Sequence, residues 1–359
     1  MNVGFFKSNY ALLLIGLVLI MGCGFVALQG FFPRPAVNDF LQTYSTLSLS
    51  DTNDKEALQD VYTEYLDKIG TSTLLSLVDA PRCHEDGHEL GKVVFRSTGD
   101  NLSDSFRICG HVCNDGCYHG VFMEAFRPNM DAPQGFEHAT AEEIRPKILD
   151  ICDVSSSYQA PDECAHAVGH GLMLNLGEIT RSLDLCNVFT DSGLRYYCTT
   201  GVFMQHDIDF GVETAEREGL YAPCDTFPDK YAVACYRYKV SRMFLVEPDV
   251  QRVVDICRSL SGKSRLGCFH GLGVAYIGDI GREPALLGSL CSLGETETEI
   301  LACIDGVMED VSVLGASVVD KACASLGFLQ NPHLQEFCYS IKGKENSLQR
   351  ETLPFFAPT

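Results

Sequence analysis

Apolar residues in this chain recur at separations of three and four residues, which is the spacing of one face of an α-helix. The clearest early stripe comprises Leu58, Val61, Tyr62, Tyr65 and Leu66. Asp51 or Asn53 can start this helix, because their side chains satisfy free backbone N–H groups at a helix N-terminus. Gly70 can end it, and a shorter helix is predicted from Thr71 to Val78.

The longest apolar run lies near the N-terminus, between Tyr10 and Phe32. About 20 apolar residues span a bilayer, so residues 1–32 are predicted to form a signal-anchor, transmembrane helix. The residues that end in Cys23 offer an alternative, because they resemble a bacterial lipoprotein cleavage box with Cys23 as the lipidated residue. The chain stays apolar after Cys23, which favours the anchor. The proline-containing residues 33–53 are predicted to form a tether.

Most of the 17 cysteines form a repeating series, in which a first cysteine is followed 8 to 15 residues later by a second. The predicted pairs are Cys109 with Cys117, Cys152 with Cys164, Cys186 with Cys198, Cys224 with Cys235, Cys257 with Cys268, Cys291 with Cys303, and Cys323 with Cys338. The second members recur about every 35 residues, which is typical of stacked helical hairpins. Cys83 and Cys113 lie outside the series and are predicted to pair with each other.

This period predicts an all-α ectodomain over residues 54–342. We expect a right-handed superhelix, an α-solenoid, of about seven disulfide-stapled hairpins, followed by a frayed tail over residues 343–359. In each hairpin a helix is expected to begin at or near the second cysteine. In the hairpin between Cys268 and Cys291, the turn is expected at Gly278–Gly281.

The cysteine content and the charge limit the compartment and the partners. Paired cysteines without any CxxC segment favour disulfides over zinc, and therefore an oxidising periplasmic or extracellular location. The net charge of −21 repels phosphate backbones, so no nucleic-acid partner is expected. The chain also lacks a phosphate-binding loop, a dinucleotide fingerprint and a CxxCH segment. Neither a nucleotide nor covalent haem is therefore expected as a cofactor.

The period and the cysteine placement resemble those of secreted, cysteine-rich tetratricopeptide-like repeat proteins, over about residues 80–340. In that family each helical hairpin carries one disulfide, and the array presents a concave binding face. The resemblance therefore implies the architecture and a surface for a protein partner.

A polar position recurs two residues after the second cysteine of each pair. Its occupants are His119, His166, Thr200, Arg237, His270, Asp305 and Ser340. We expect this row to line one surface of the superhelix. A binding scaffold that presents this polar face to a partner is one of the two functions that the sequence supports.

Two segments share the pattern HxxGHxL, with their histidines at His84 and His88 and at His166 and His170. Histidines four residues apart project from one side of a helix and can bind one metal ion. His119 lies in the repeat between them. These five residues are the predicted metal ligands, and Glu85, Glu89 and Glu124 are the nearby carboxylates that could act as catalytic groups.

The same residues allow several metal chemistries. His84 to His88 matches the HExxH motif of zinc peptidases, but Gly87 lies inside the motif and no third ligand follows at a known spacing. The His84-Glu85 and His88-Glu89 dipeptides resemble those of deoxyhypusine hydroxylase, a helical-repeat enzyme that holds two irons. Met123 and Met204 make copper a further expectation. The sequence thus predicts a metal-dependent enzyme or metal-binding protein that uses zinc, iron or copper.

Convergence of the five histidines requires that the array curve enough to bring the first and third repeats together. A register difficulty accompanies this prediction. Counted from Cys83, the polar-face positions are Glu85 and Glu89, and His84 and His88 fit only after a slip of one residue. The alternative is that the histidines only make hydrogen bonds within the core.

Overall fold

The repeating pattern produces a fold in which the regular structure of the described residues is helical. The computed structural model describes residues 34–48, 55–78, 83–110, 115–126, 140–158, 161–309 and 315–341. The α-helices are α1 (Arg34–Ser48), α2 (Lys55–Ile69), α3 (Thr71–Leu77), α4 (Cys83–Ser97), α5 (Leu102–Cys109), α6 (Gly116–Ala125), α7 (Ala141–Ser155), α8 (Pro161–Leu176), α9 (Ile179–Leu185), α10 (Ser192–Glu218), α11 (Ala232–Val246), α12 (Val250–Ser259), α13 (Gly262–Ala275), α14 (Ile277–Arg282), α15 (Leu286–Cys291), α16 (Glu297–Glu309), α17 (Ala316–Ser325) and α18 (Pro332–Ile341).

The helices that carry the second cysteines pack against one another in chain order. They are α6, α8, α10, α11, α13, α16 and α18. Helix α4 precedes them and packs closely against α6, and α2 packs against α4. The array also bends back on itself, because Arg242 of α11 donates to Glu85 of α4 at 3.0 Å. This repeat-like packing confirms the all-α fold class.

All seven predicted repeat disulfides are present. They join Cys109 to Cys117, Cys152 to Cys164, Cys186 to Cys198, Cys224 to Cys235, Cys257 to Cys268, Cys291 to Cys303, and Cys323 to Cys338. Each joins a helix or turn to the following second-cysteine helix, and the closed loops are short, with sequence separations between 8 and 15. A bridge over a loop of this size stabilises a folded domain by about 2–4 kcal/mol.

The remaining cysteines are not placed by the structure. Cys23 and Cys113 lie outside the described residues, as does the side chain of Cys83. The predicted bridge between Cys83 and Cys113 therefore stays a prediction.

Three helix pairs cross with their backbones in contact, because each helix carries a glycine at the crossing. In the α4–α6 pair, a Cβ on Gly120 would overlap the carbonyl oxygen of His88, and one on Gly91 would overlap that of Cys117. The other two pairs, α8–α10 and α13–α16, repeat this contact. The equivalent overlaps are Gly201 with His166, Gly169 with Cys198, Gly306 with His270, and Gly273 with Cys303. Each crossing therefore sets a His-x-x-Gly segment against a Cys-x-x-Gly segment.

Helix boundaries differ from the expectation in two ways. The helix that carries Cys117 begins one residue before it, as predicted. Later second cysteines lie deeper inside their helices: Cys268 follows a turn of helix that begins at Gly262, and Cys338 lies well inside α18, which begins at Pro332. The predicted turn at Gly278–Gly281 lies within α14.

The tether predicted over 33–53 is replaced in the described residues by α1 (Arg34–Ser48). Its Phe40 and Tyr44 are four residues apart, and both are buried against Tyr62. This helical spacing of aromatic residues outweighs the prolines at the start of the segment.

Among the described residues, no helix has the length and apolar character needed to cross a membrane. The predicted signal-anchor over 1–32 and the predicted tail over 343–359 both lie outside the described residues.

We expect non-reducing peptide mapping of the purified protein to recover the seven local bridges, because each pair of Cα atoms is 5.3–5.7 Å apart, within the usual range for a disulfide. Mass spectrometry of the linked peptides is the measurement. Free thiols at most of these fourteen positions would contradict the assignment.

We expect Gly306→Ala to lower the free energy of unfolding by about 1–3 kcal/mol, the usual cost of overpacking a core. The added Cβ meets the backbone of α13, so the two helices must move apart. Gly278→Ala is the matched control, since no atom lies within 4 Å of its Cβ position. Chemical denaturation should show that the control is unchanged or stabilised by up to about 1 kcal/mol. Equal effects of the two substitutions would count against the crossing contact.

Candidate metal centre

Five histidines from three helices meet in the interior. His84 and His88 come from α4, His119 from α6, and His166 and His170 from α8. The ring centroid of His119 lies 5.1–5.6 Å from those of the other four, and the rings of His88 and His170 are 4.9 Å apart. The predicted convergence is thus confirmed, and the first and third repeats approach each other as it required. That these residues bind metal stays a prediction.

The nitrogens of His84, His88, His119 and His170 form a group that could hold a metal ion. One ligand atom from each lies within 4.8 Å of the others. Within it, the Nε2 atoms of His84 and His88 are 3.2 Å apart. His166 is outside this group of four, but its Nε2 lies 3.1 Å from that of His170. Two close Nε2 pairs therefore exist, one on each i,i+4 helix.

The hydrogen bonds around His166 and His170 assign their tautomers. The Thr200 hydroxyl donates to the carbonyl of Tyr197 at 2.6 Å, so at 2.8 Å it must accept from Nδ1–H of His166. Gln205 donates through its amide nitrogen to Asp209 at 2.7 Å, so its oxygen accepts from Nδ1–H of His170 at 2.9 Å. Both neutral rings carry hydrogen on Nδ1. Their Nε2 lone pairs consequently face each other.

Burial favours the neutral form of His88, His119, His166 and His170. His88 and His119 are 2% exposed, His166 is 6% and His170 is 0% exposed, whereas His84 is partly exposed. Loss of solvation, with a smaller contribution from the neighbouring His84, lowers the pKa of His119 to about 3. Burial also holds the pKa values of His88, His166 and His170 well below 6.5. Neutral imidazole is the form that coordinates metal ions.

His170 is oriented by a chain of polar contacts that leads to the surface. It runs from His170 through Gln205 to Asp209, which makes an ion pair with the ammonium of Lys55. Metal-ligating histidines commonly donate their second N–H to such a partner, which fixes the ring and raises the basicity of the other nitrogen.

The three carboxylates predicted as catalytic groups are held by cations. Glu85 pairs with Arg242 at 3.0 Å, Glu89 with the buried Lys92 at 2.8 Å, and Glu124 with Arg96 at 3.1 Å. None of the three belongs to the group of possible ligands. Glu85 and Glu89 line the same small cavity as His88, but α4 and α6 turn the three carboxylates toward neighbouring basic side chains.

A different carboxylate reaches the histidines. Glu163, in the first turn of α8, places its Oε2 3.6 Å from Nε2 of His119. Glu163 was not among the predicted carboxylates. Its position one residue before Cys164 was the signal, because that places it in the first turn of the helix that faces His119.

The glycine crossings resolve the register difficulty on α4. At each crossing the carbonyl oxygen of a histidine approaches a glycine of the neighbouring helix. The pairs are His88 with Gly120, His166 with Gly201, and His270 with Gly306. His88 is therefore the structural equivalent of His166, and the two HxxGHxL segments are offset by one helical turn. His-x-x-Gly followed by Cys-x-x-Gly was the informative pattern.

The polar row is buried, contrary to the expectation of a concave, solvent-facing surface. Its described members at His119, His166, Thr200, Arg237, His270 and Asp305 lie in the interior, and Ser340 is exposed. The row faces inward because the glycines draw the helices together on that side.

At its C-terminal end the row forms a buried charged cluster. Nε2 of His270 lies 3.3 Å from Asp305 and 3.0 Å from Glu309, which also pairs with Arg237. Acidic and basic side chains therefore pair at this end of the row, whereas at its N-terminal end imidazole rings lie against one another.

Comparison of the chain with family models, with curated proteins and with solved structures finds no match.

A small cavity adjoins the centre between α2, α4 and α10. His88, Asp86, Glu89 and Gln205 form part of its wall. Its volume of about 10 Å³ is the space that a single water molecule needs. The interior next to His88 can thus admit water or a similarly small molecule.

We expect the free energy of unfolding of the metal-free protein to fall as the pH falls below about 6.5. In this range the histidines bind protons in the unfolded chain but stay neutral where they are buried in the folded protein. The loss of stability continues toward pH 3, where His119 is protonated in the folded state. Denaturation between pH 7 and pH 4 measures the slope. His119→Gln should flatten it, whereas His333→Gln, at an exposed position, should not. An unchanged slope in His119→Gln would contradict the assignment.

Proposed function

We propose that this protein is an extracytoplasmic metal-binding protein whose histidine cluster holds zinc, copper or iron. The observation that carries the proposal is the approach of His166 and His170 Nε2 to 3.1 Å, with both hydrogens placed on Nδ1. Two nitrogen lone pairs at this distance repel each other unless a cation lies between them. Two imidazole ligands of one tetrahedral ion are about 3.3 Å apart, given metal–nitrogen bonds of about 2.0–2.1 Å.

The donor set supports the choice of metals. Its members are imidazole nitrogens, which suit zinc, copper, iron and nickel and not calcium or magnesium. The sequence favoured zinc, iron and copper, and the all-imidazole group is compatible with each.

The burial of the cluster supports binding over chemistry on a large substrate. Four of the five rings are buried, and the adjoining cavity has room for one water molecule. In the HExxH match on α4, His88 is buried and only His84 is partly exposed, so the geometry favours metal binding over a peptidase.

The seven disulfides indicate an oxidising compartment. We propose that the apolar run over Tyr10–Phe32 anchors the protein in a membrane, with the helical repeats outside the cytoplasm. We also propose that the array is a right-handed superhelix; packing in chain order and the contact between α4 and α11 support its curvature.

We expect the full-length protein to contain tightly bound metal, measured by inductively coupled plasma mass spectrometry. Replacing His88 and His170 together with alanine should abolish this metal, because each of the two helices then loses a ligand. The disulfide map and the helical circular dichroism should remain.

His333→Ala is the matched control, since His333 is exposed and pairs with Glu297 on the surface. It should leave the metal content unchanged. A wild-type protein without metal after exposure to zinc and copper, or full metal content in the double variant, would refute the proposal.

A further inference from the structure

The five histidines form two similar pairs and one intervening ring. His84 and His88 approach through Nε2 at 3.2 Å on α4, and His166 and His170 do so at 3.1 Å on α8. Both separations are close to the 3.3 Å or so expected between two ligands of one tetrahedral ion. One ion could account for both contacts only if all four nitrogens surrounded it. His166 lies outside the group whose ligand atoms are within 4.8 Å of one another, so its contact with His170 points to a second ion.

The nitrogen lone pairs that the histidines can offer to a metal also indicate two ions. Nδ1 of His170 is committed to Gln205, so His170 can offer a metal only the single lone pair of Nε2. That lone pair points at Nε2 of His166, whose own Nδ1 is committed to Thr200. An ion held by the α4 pair would therefore leave His166 facing His170 without a cation, unless the α8 pair has an ion of its own.

His119 lies where it can complete either coordination shell. Its ring centroid is 5.1 Å from His84 and 5.1 Å from His166. Both of its nitrogens are buried, and neither has a hydrogen-bond partner among the described residues. A buried polar atom without a partner costs free energy, and a metal–nitrogen bond removes that cost. Glu163, 3.6 Å from His119, adds a carboxylate on the α8 side.

We propose that the centre holds two metal ions, one bound by His84 and His88 and the other by His166 and His170. His119 lies between them and completes the coordination of one ion or both. This inference rests on the proposed metal-binding function. Asp86 and Glu163 lie beside the centre and offset part of the added positive charge.

The test is the number of zinc ions bound per chain of the full-length protein, after loading with Zn²⁺ and removal of weakly bound metal. We expect two ions in the wild-type protein, one in His166→Ala and one in His84→Ala. A single centre built from His84, His88, His119 and His170 predicts one ion in the wild-type protein and no loss in His166→Ala.

Thr200→Val supplies a second variant that keeps all five histidines and changes the side-chain volume little. It removes the acceptor for Nδ1–H of His166. The affinity for one of the two ions should therefore fall by about 10- to 100-fold, the usual effect of losing such a partner. The other ion should keep its affinity. Loss of both ions in parallel, or of neither, would overturn the assignment of His166 to a separate ion.

Loading with Cu²⁺ gives an independent readout. Two adjacent copper ions should couple magnetically and weaken the electron paramagnetic resonance signal relative to total copper, whereas His166→Ala should restore a full signal from one isolated ion. A full signal in the wild-type protein at one ion per chain would overturn the two-ion proposal and leave the metal-binding function standing. Absence of any bound zinc or copper in the wild-type protein would overturn both.

Discussion

The backbone contact between glycine-bearing helices is the constraint on which this structure depends. At Gly120, Gly201 and Gly306 the neighbouring carbonyl takes the space of a side chain, so α4 and α6, α8 and α10, and α13 and α16 lie unusually close. The residue whose carbonyl makes that contact is a histidine each time. Close approach of the helices on this side places the polar row in the interior. The same contact that assembles the repeats therefore buries their imidazoles.

Burial of so many titratable rings has an energetic cost that the rest of the fold must offset. A buried imidazole with a hydrogen-bond partner on one nitrogen still lacks one on the other. His166 and His170 meet half of this requirement through Thr200 and Gln205. Seven disulfides lower the entropy of the unfolded chain and help the protein to tolerate the remainder. A core of aliphatic side chains at these positions would be more stable but could not bind an ion.

The sequence predicted the helices, the seven disulfides and the convergence of the five histidines, because each depends on a residue spacing that the repeats copy. It misjudged the direction of the polar row, since the row's orientation depends on glycine contacts between helices far apart in sequence. The basic partners of Glu85, Glu89 and Glu124 were not predicted, because the contacts with Arg242, Lys92 and Arg96 are set by packing. The helix over Arg34–Ser48 was missed because prolines and Ser/Thr residues hid the buried Phe40 and Tyr44.

The disulfides join residues close in the sequence, whereas the histidine cluster joins residues far apart, so the two are expected to form at different stages of folding. The bridge with the widest separation, between Cys323 and Cys338, closes 15 residues, so each disulfide can form as soon as its own hairpin has crossed into the oxidising compartment. His84 and His170 come from helices that begin at Cys83 and Pro161, and they meet only after α4, α6 and α8 have packed together. An ion bound between these helices would join segments that no described disulfide joins. Its uptake would thus mark the moment at which the N-terminal third of the protein has finished assembling after export.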